Sequence, residues 1–140
     1  MLFGKRPRKV NRLILVEDEP LIAFDNEYFL KNAGYDIVAT VDTVAEALAA
    51  LHQHEVDLVL ADVNLSYGGS GRDVAHAAQA RNVPLMFVTG SCPIDAQSLA
   101  VGCLAKPYSQ RDLLAAIEAV DAKLSGRKPR KVPASFTLFV

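Results

Sequence analysis

The chain has 140 residues, of which 51% are hydrophobic, and its 15 Lys and Arg residues nearly balance 16 Asp and Glu residues. This composition predicts one compact domain with its own core, and the formal charge of −1 excludes a general attraction to nucleic acid or anionic membranes. The sequence has neither a secretory signal nor an apolar run near the roughly 18 residues of a membrane span, so we expect a cytoplasmic protein without membrane contact.

The two ends of the chain differ from its middle in composition. We interpret residues 1–11 as a basic N-terminal tail, residues 12–124 as the folded domain, and residues 125–140 as a linker followed by an apolar peptide. That peptide either pairs with a sheet edge, packs on its own or another subunit, or stays disordered. Composition alone favours none of these outcomes.

Apolar runs that suit buried strands alternate with segments of helical period through the folded domain. The five predicted strands lie at 13–16, 37–41, 58–61, 85–88 and, more weakly, 103–105. The five predicted helices lie at about 19–33, after Thr43, after Ser70, near 93–100 and after Ser109. Thr43 with Glu46, and Ser109 with Asp112, form capping boxes, and Gly34 suits the end of the first helix.

This alternation predicts an α/β fold with a parallel sheet between two layers of helices. The strands are almost continuously apolar, which indicates that both faces of the sheet are buried. With right-handed crossovers, the expected architecture is a doubly wound (βα)5, flavodoxin-like sheet with strand order 2-1-3-4-5. Strands 1 and 3 are then neighbours, and the crevice at their carboxyl ends is the expected ligand site.

Acidic residues follow the two strands that border this crevice. Glu17 and Asp18 come directly after strand 1, and Asp62 comes directly after strand 3. Because crowded carboxylates repel one another and hard cations prefer oxygen ligands, we predict a Mg²⁺ site. Its expected ligands are Glu17, Asp18, Asp62 and the backbone carbonyl of Asn64.

The residues around Asp62 also suit phosphoryl chemistry. A carboxylate at a sheet edge can attack phosphorus and form an acyl phosphate. Lys106, after strand 5, and Thr89, at the end of strand 4, could bind the phosphoryl oxygens. We therefore interpret Asp62, Thr89 and Lys106 as the reactive group and its two phosphoryl-binding partners.

Together these residues resemble the receiver domain of bacterial two-component response regulators, over about residues 12–124. The resemblance implies metal-binding acids at Glu17 and Asp18, the phosphoacceptor at Asp62, the switch hydroxyl at Thr89 and the phosphate-pairing cation at Lys106. It also implies a cis bond between Lys106 and Pro107. The implied role is a stand-alone response regulator phosphorylated by a sensor histidine kinase or a histidine phosphotransfer protein.

Two departures from the usual receiver pattern concern the signal that leaves the site. Cys103 stands where receivers usually carry a Tyr or Phe, three residues before the lysine. Residues 87–90 resemble the Phe-Ala-Thr-Gly segment of a single-domain subgroup in which that aromatic is commonly absent. We therefore expect residues 90–94 and the fourth helix to do the switching.

Cys92 and Cys103 lack a CxxC spacing, which argues against a disulfide or a metal knuckle and predicts ordinary apolar residues.

Alternative functions stay open. The chain could be a receiver-like binding module that works without phosphorylation, or a small Mg²⁺-dependent phosphatase of the haloacid dehalogenase type. The phosphatase is disfavoured because Asn64 stands where that chemistry needs a second Asp. We expect no enzyme beyond self-catalysed phosphotransfer and slow autodephosphorylation. We also expect no direct DNA binding after residue 124, output through a downstream protein, and a possible homodimer through the strand 4–5 face or the C-terminal tail.

Overall fold

The computed structural model describes residues 8–65 and 68–139. The strands are β1 (Arg12–Val16), β2 (Asp36–Val41), β3 (Leu58–Ala61), β4 (Leu85–Thr89), β5 (Gly102–Ala105) and β6 (Phe136–Leu138). The helices are α1 (Pro20–Asn32), α2 (Val44–Gln53), α3 (Gly71–Ala80), α4 (Ala96–Leu99) and α5 (Gln110–Leu124). Most of the predicted N-terminal tail (residues 1–7), Ser66, Tyr67 and Val140 lie outside the described residues.

The strands form one sheet in the order β2-β1-β3-β4-β5-β6. The first five strands pair in parallel, and β6 pairs antiparallel with β5. The predicted doubly wound, flavodoxin-like sheet with order 2-1-3-4-5 is therefore confirmed, with one additional strand at its edge. Within the described ranges, no helix has both the length and the apolar character needed to cross a membrane.

The core lies on both faces of the sheet, which explains the continuous apolar strands. Leu13 and Leu15 of β1 belong to the cluster that packs against α1 and α5, while Ile14 and Val16 belong to the opposite cluster, with α2 and α3. All four side chains are nearly inaccessible to solvent. Successive residues of a strand point to opposite faces, so a strand buried on both sides needs apolar residues throughout.

Thr43 and Ser109 are N-caps as predicted, while the full reciprocal capping box is formed by Ser70 and Asp73 at α3. The Thr43 hydroxyl accepts a hydrogen bond from the Glu46 amide, and the Ser109 hydroxyl accepts one from the Asp112 amide. Gly34 follows α1 with a φ of +97°, a conformation that favours glycine. The fourth helix, predicted near 93–100, is only the four residues of α4.

The apolar C-terminal peptide forms β6, so the sheet-edge alternative is the correct one. Phe136 is buried against Gly102, where an added Cβ would collide with the phenyl ring. The Ala105 amide donates to the Ser135 carbonyl at 2.9 Å, and the Phe139 amide donates to the Val101 carbonyl at 2.9 Å. Both contacts extend the β5–β6 pairing, so the edge of β5 is covered by the chain itself.

The prediction that the two cysteines are ordinary apolar residues is wrong. Cys92 and Cys103 form a disulfide, with Cα atoms 6.3 Å apart. The spacing of eleven residues was uninformative because the chain leaves β4, forms α4 and returns along β5. Because the chain reverses direction, Cys92 at the start of the loop lies next to Cys103 in β5. The number of residues between the two cysteines does not reveal this proximity.

The face of α1 that carries its large apolar residues is exposed. Leu21, Phe24 and Tyr28 are 79%, 68% and 65% exposed, and the two rings stack with centroids 6.5 Å apart. The helix instead contacts the core through Leu30, which is fully buried. An apolar stripe thus runs along the outer surface of α1, beginning close to the carboxyl end of β1.

Candidate functional site

The proposed site residues follow strands whose carboxyl ends lie side by side. In the sheet register, Val16 pairs with Ala61, and Ala61 pairs with Phe87 of β4. The Asp62 amide donates to the Val16 carbonyl at 3.0 Å, so the ladder continues one residue past β3. This backbone bond fixes the start of the Asp62 side chain relative to the neighbouring strand.

Strand β5 is joined to β4 in the same way. Thr89 pairs with Ala105, and the Lys106 amide donates to the Thr89 carbonyl at 2.8 Å. The bond between Lys106 and Pro107 is cis, as the resemblance to receivers implied. The hydrogen bond to Thr89 therefore fixes the backbone position of Lys106 relative to the end of β4.

Glu17, Asp18 and Asp62 form an acidic cluster. Each residue offers a carboxylate oxygen, and these oxygens all lie within 4.8 Å of one another. Glu17 and Asp62 are buried, and Asp18 is half-buried. Burial raises the pKa of Glu17 above its ordinary value, against the opposing effect of hydrogen bonds from Lys106 and the Glu19 amide. The cluster has the oxygen donors that a hard divalent cation prefers.

Lys106 lies between two of these carboxylates. Its Nζ is 2.8 Å from Asp62 Oδ2 and 2.9 Å from Glu17 Oε1. Burial opposes the charged ammonium, but the hydrogen bonds to both carboxylates outweigh this effect and raise the pKa of Lys106 above its ordinary value. The Lys106 ammonium therefore bridges Glu17 and Asp62, two of the three acidic side chains of the cluster.

The second carboxylate oxygen of Asp62 is also engaged. Oδ1 accepts a hydrogen bond from the Asn64 amide at 3.0 Å, so the turn after β3 holds the side chain. Gly71, the first residue of α3, packs against this turn, and an added Cβ would lie 2.8 Å from the Val63 Cα and closer still to the Asp62 backbone. Sequence analysis missed this positioning role, although a glycine beside the Ser70 cap is a usable signal of close approach.

Thr89 is buried at the end of β4. It has no accessible surface, and among the described residues its Oγ1 has no hydrogen-bond partner. A buried hydroxyl without a partner is energetically unfavourable, by about 1–3 kcal/mol. Among the described residues, the Thr89 hydroxyl group therefore neither donates nor accepts a hydrogen bond.

An open cleft of roughly 610 Å³ lies over the site. It is lined by Asp18, Glu19, Pro20, Leu21, Asp62, Asn64, Gly90 and Lys106. A second, more apolar hollow of roughly 450 Å³ lies between α1 and the segment that follows Lys106. The structure thus brings Glu17, Asp18, Asp62 and Lys106 into direct proximity, places Asn64 in the cleft wall, and buries Thr89 at the adjacent strand end.

The sequence model of the family described as the response regulator receiver domain matches residues 13–118. The chain therefore belongs to the response regulator receiver family. Members of this family are signalling modules that interact with histidine kinases or phosphotransfer proteins, and they generally bind Mg²⁺ at an acidic pocket.

Similarity to characterised proteins agrees with this assignment. The chain is 31% identical over 112 residues to the transcriptional regulatory protein PdtaR of Mycobacterium tuberculosis, covering 76% of this chain and 55% of PdtaR. It is 37% identical over 114 residues to the sensory transduction protein RegX3 of Mycobacterium bovis, covering 77% of this chain and 49% of RegX3. The chain thus spans about half the length of these relatives.

Solved structures show the same architecture. The signal receiver domain of a modulated diguanylate cyclase from Desulfovibrio desulfuricans is 27% identical and superposes with a TM-score of 0.72, covering 83% of this chain and 97% of that domain. The response regulator PhyR from Brucella abortus is 30% identical with a TM-score of 0.64, covering 74% of this chain and 44% of PhyR.

Proposed function

We propose that this chain is a response regulator receiver that accepts a phosphoryl group on Asp62. The donor is the phosphohistidine of a sensor histidine kinase or of a histidine phosphotransfer protein. A carboxylate oxygen of Asp62 attacks phosphorus, the bond from phosphorus to the histidine nitrogen breaks, and an acyl phosphate forms. The phosphorylated domain then acts through protein contacts in the cytoplasm.

One observation carries this proposal. The Asp62 carboxylate ends a parallel strand at an open cleft and contacts Lys106 at 2.8 Å, while Thr89 is buried with an unused hydroxyl at the next strand end. Phosphoryl transfer depends mainly on positioning and charge stabilisation, which these groups supply. A merely structural ion pair would explain the lysine but not the orphan hydroxyl.

The acidic cluster supports the Mg²⁺ dependence. Glu17, Asp18, Asp62 and the backbone carbonyl of Asn64 would hold the ion, which supplies positive charge to the transferring phosphoryl oxygens when bound. Lys106 already pairs with Glu17 and Asp62, and the three clustered carboxylates supply the oxygen donors that a hard cation prefers.

The surfaces beside the site support a protein partner. The exposed stripe of Leu21, Phe24 and Tyr28 starts at the cleft, and the apolar hollow between α1 and Pro107 adjoins it. Exposed aromatic and aliphatic residues next to a hollow are suited to burial against another protein. A phosphohistidine carried on a helical partner could thus be brought to Asp62.

Intact mass spectrometry tests the proposal directly. The protein is incubated with a small acyl phosphate donor, with Mg²⁺ or with a chelator. We expect a gain of one phosphoryl group that needs Mg²⁺ and is absent in Asp62→Asn. Asp36→Asn, which changes an exposed carboxylate on β2, is the matched control and should gain the group like the wild type.

The same assay separates the alternatives. Incubation with candidate phosphorylated kinases extends the donor set if the small donor fails. If neither donor type modifies Asp62, the chain is a receiver-like binding module that works without phosphorylation. Rapid release of inorganic phosphate over many turnovers would instead identify a phosphatase and overturn the signalling role.

A further inference from the structure

The Cys92–Cys103 disulfide joins the loop that follows Thr89 to the strand that precedes Lys106. Cys92 lies three residues after Thr89, and Cys103 lies three residues before Lys106. All of α4 lies within the loop that the disulfide closes. The bond therefore restrains the segment through which a change at Thr89 would have to leave the site.

The two cysteine residues differ in their exposure to solvent. Cys92 is exposed in the loop after β4, whereas Cys103 is 1% exposed and belongs to the core cluster with Phe87 and Ala96. A thiol or a disulfide in solution can reach Cys92 but not Cys103. Such an arrangement, with one accessible and one resolving cysteine, suits reversible exchange.

The rest of the fold does not depend on this bond. β5 pairs with β4 at four positions and with β6 at three, so its place in the sheet is set without Cys92. The loop itself is held by the Arg72–Asp95 ion pair and a hydrogen bond from Gln79 to the Ser98 carbonyl, both solvent-exposed, by the packing of Ala96, Leu99 and Ala100 on the core, and by a hydrogen bond from the Val101 amide to the Leu85 carbonyl. Breaking the disulfide should therefore loosen residues 90–101 while the sheet stays intact.

We propose that Cys92 and Cys103 are a reversible thiol–disulfide switch that fixes residues 90–101 when oxidised and releases them when reduced. Its oxidant is a small disulfide and its reductant a small thiol. In oxidation, the Cys92 thiolate attacks the small disulfide, forms a mixed disulfide and expels one thiolate. The Cys103 thiolate then attacks the Cys92 sulfur and expels the second, so two cysteine thiols are oxidised and one small disulfide is reduced to two thiols.

The effect of the switch on signalling rests on the function proposed above. Asp62 follows β3, which lies on the opposite side of β4 from β5, and neither Cys92 nor Cys103 lines the cleft, so oxidation leaves the phosphoacceptor open. Oxidation instead restrains the movement of residues 90–101 that would follow phosphorylation. In the cytoplasm, where thiols are kept reduced and disulfides are chiefly transient, the phosphorylated protein would signal fully only in its reduced form.

The first experiment needs no phosphorylation. The full chain is equilibrated with reduced glutathione or with glutathione disulfide, its free thiols are alkylated and counted by mass, and hydrogen exchange is measured over residues 93–101. We expect reversible interconversion, with exchange at least about tenfold faster in the reduced protein because local opening is less restrained. Cys92→Ser should exchange at the reduced rate in both buffers, and the control Ser91→Ala should behave like the wild type.

Several results would overturn the switch. The thiols could stay free in glutathione disulfide, the bond could resist excess reduced glutathione until the protein unfolds, or exchange over residues 93–101 could be equal in the two redox states. Each of these would leave Cys92 and Cys103 as an inert pair.

A second arm tests the coupling to Asp62. With a small acyl phosphate and Mg²⁺, both redox forms should gain one phosphoryl group, and only the reduced form should change its exchange over residues 93–101. Equal responses in both forms would refute the coupling. Absence of the phosphoryl group in both forms, with the small donor and with candidate phosphorylated kinases, would refute the proposed function instead, while the first arm still decides whether the disulfide is a switch.

Discussion

Replacing Thr89 with valine tests whether the Thr89 hydroxyl stabilises the unphosphorylated protein or forms a hydrogen bond only when a phosphoryl group is present. The Thr89 hydroxyl is buried, and no described residue hydrogen-bonds to it. An unsatisfied buried hydroxyl costs about 1–3 kcal/mol, whereas a methyl group in the same place has no polar group to desolvate. We therefore expect Thr89→Val to raise the free energy of unfolding by about 1 kcal/mol.

The corresponding assay is urea and thermal unfolding of the unphosphorylated protein. For a domain of this size, a gain of 1 kcal/mol raises the melting temperature by about 2–5 °C. Thr40→Val is the matched control, because the Thr40 hydroxyl donates a hydrogen bond to Glu27. That variant should lose about 1 kcal/mol, since a used hydrogen bond is removed.

The functional half of the prediction uses beryllium fluoride as a phosphoryl mimic in the presence of Mg²⁺. If the hydroxyl binds the phosphoryl group, the mimic should stabilise the wild type by about 1 kcal/mol more than it stabilises Thr89→Val. This difference is the coupling free energy between the hydroxyl and the mimic in a thermodynamic cycle. A variant less stable than the wild type without the mimic would show that the hydroxyl already has a partner. Equal stabilisation of both proteins by the mimic would remove Thr89 from the site.

Three further substitutions test other parts of the structure. Lys106→Met leaves two buried carboxylates without their cation, so we expect a loss of about 3 kcal/mol in urea unfolding without metal, partly restored by Mg²⁺; an unchanged midpoint would contradict this. Gly102→Ala should displace the Phe136 ring, lower stability by about 2 kcal/mol and expose residues 125–135 to proteases, and wild-type resistance would refute this packing. Tyr35→Phe removes a buried hydroxyl that lacks a described partner, so stability should stay level or rise in thermal unfolding; a clear loss would reveal a missing hydrogen bond.

The proximity of the candidate site residues could be predicted from the sequence, because the order of parallel strands in the sheet decides which strand ends are neighbours. Once the apolar runs are assigned to strands, Asp18 and Asp62 must follow neighbouring strands, and Lys106 must follow the edge strand of the parallel set. No side-chain detail is needed for this step. The sequence did not predict the side-chain contacts within the site, such as the ion pairs of Lys106 with Glu17 and Asp62.

Contacts between distant segments could not be predicted in the same way. The disulfide depends on how far the loop after Thr89 folds back over β5, and eleven residues of separation allow either outcome. The pairing of β6 depends on space for Phe136, which only a residue without a side chain at position 102 provides. A glycine inside a strand is a known sign of close approach, so Gly102 was a signal that the sequence did offer.

Strand β5 connects three features of this receiver. Gly102 receives Phe136 from the C-terminal strand, Cys103 bonds to the loop after β4, and Lys106 contacts Asp62 just beyond the strand. These positions fall within five consecutive residues, so a shift of the lysine toward a phosphoryl group would be transmitted along a short, rigid segment. Because Cys103 replaces the aromatic side chain that would swing in most receivers, we expect the loop after Thr89 and the β6 edge to carry the signal instead.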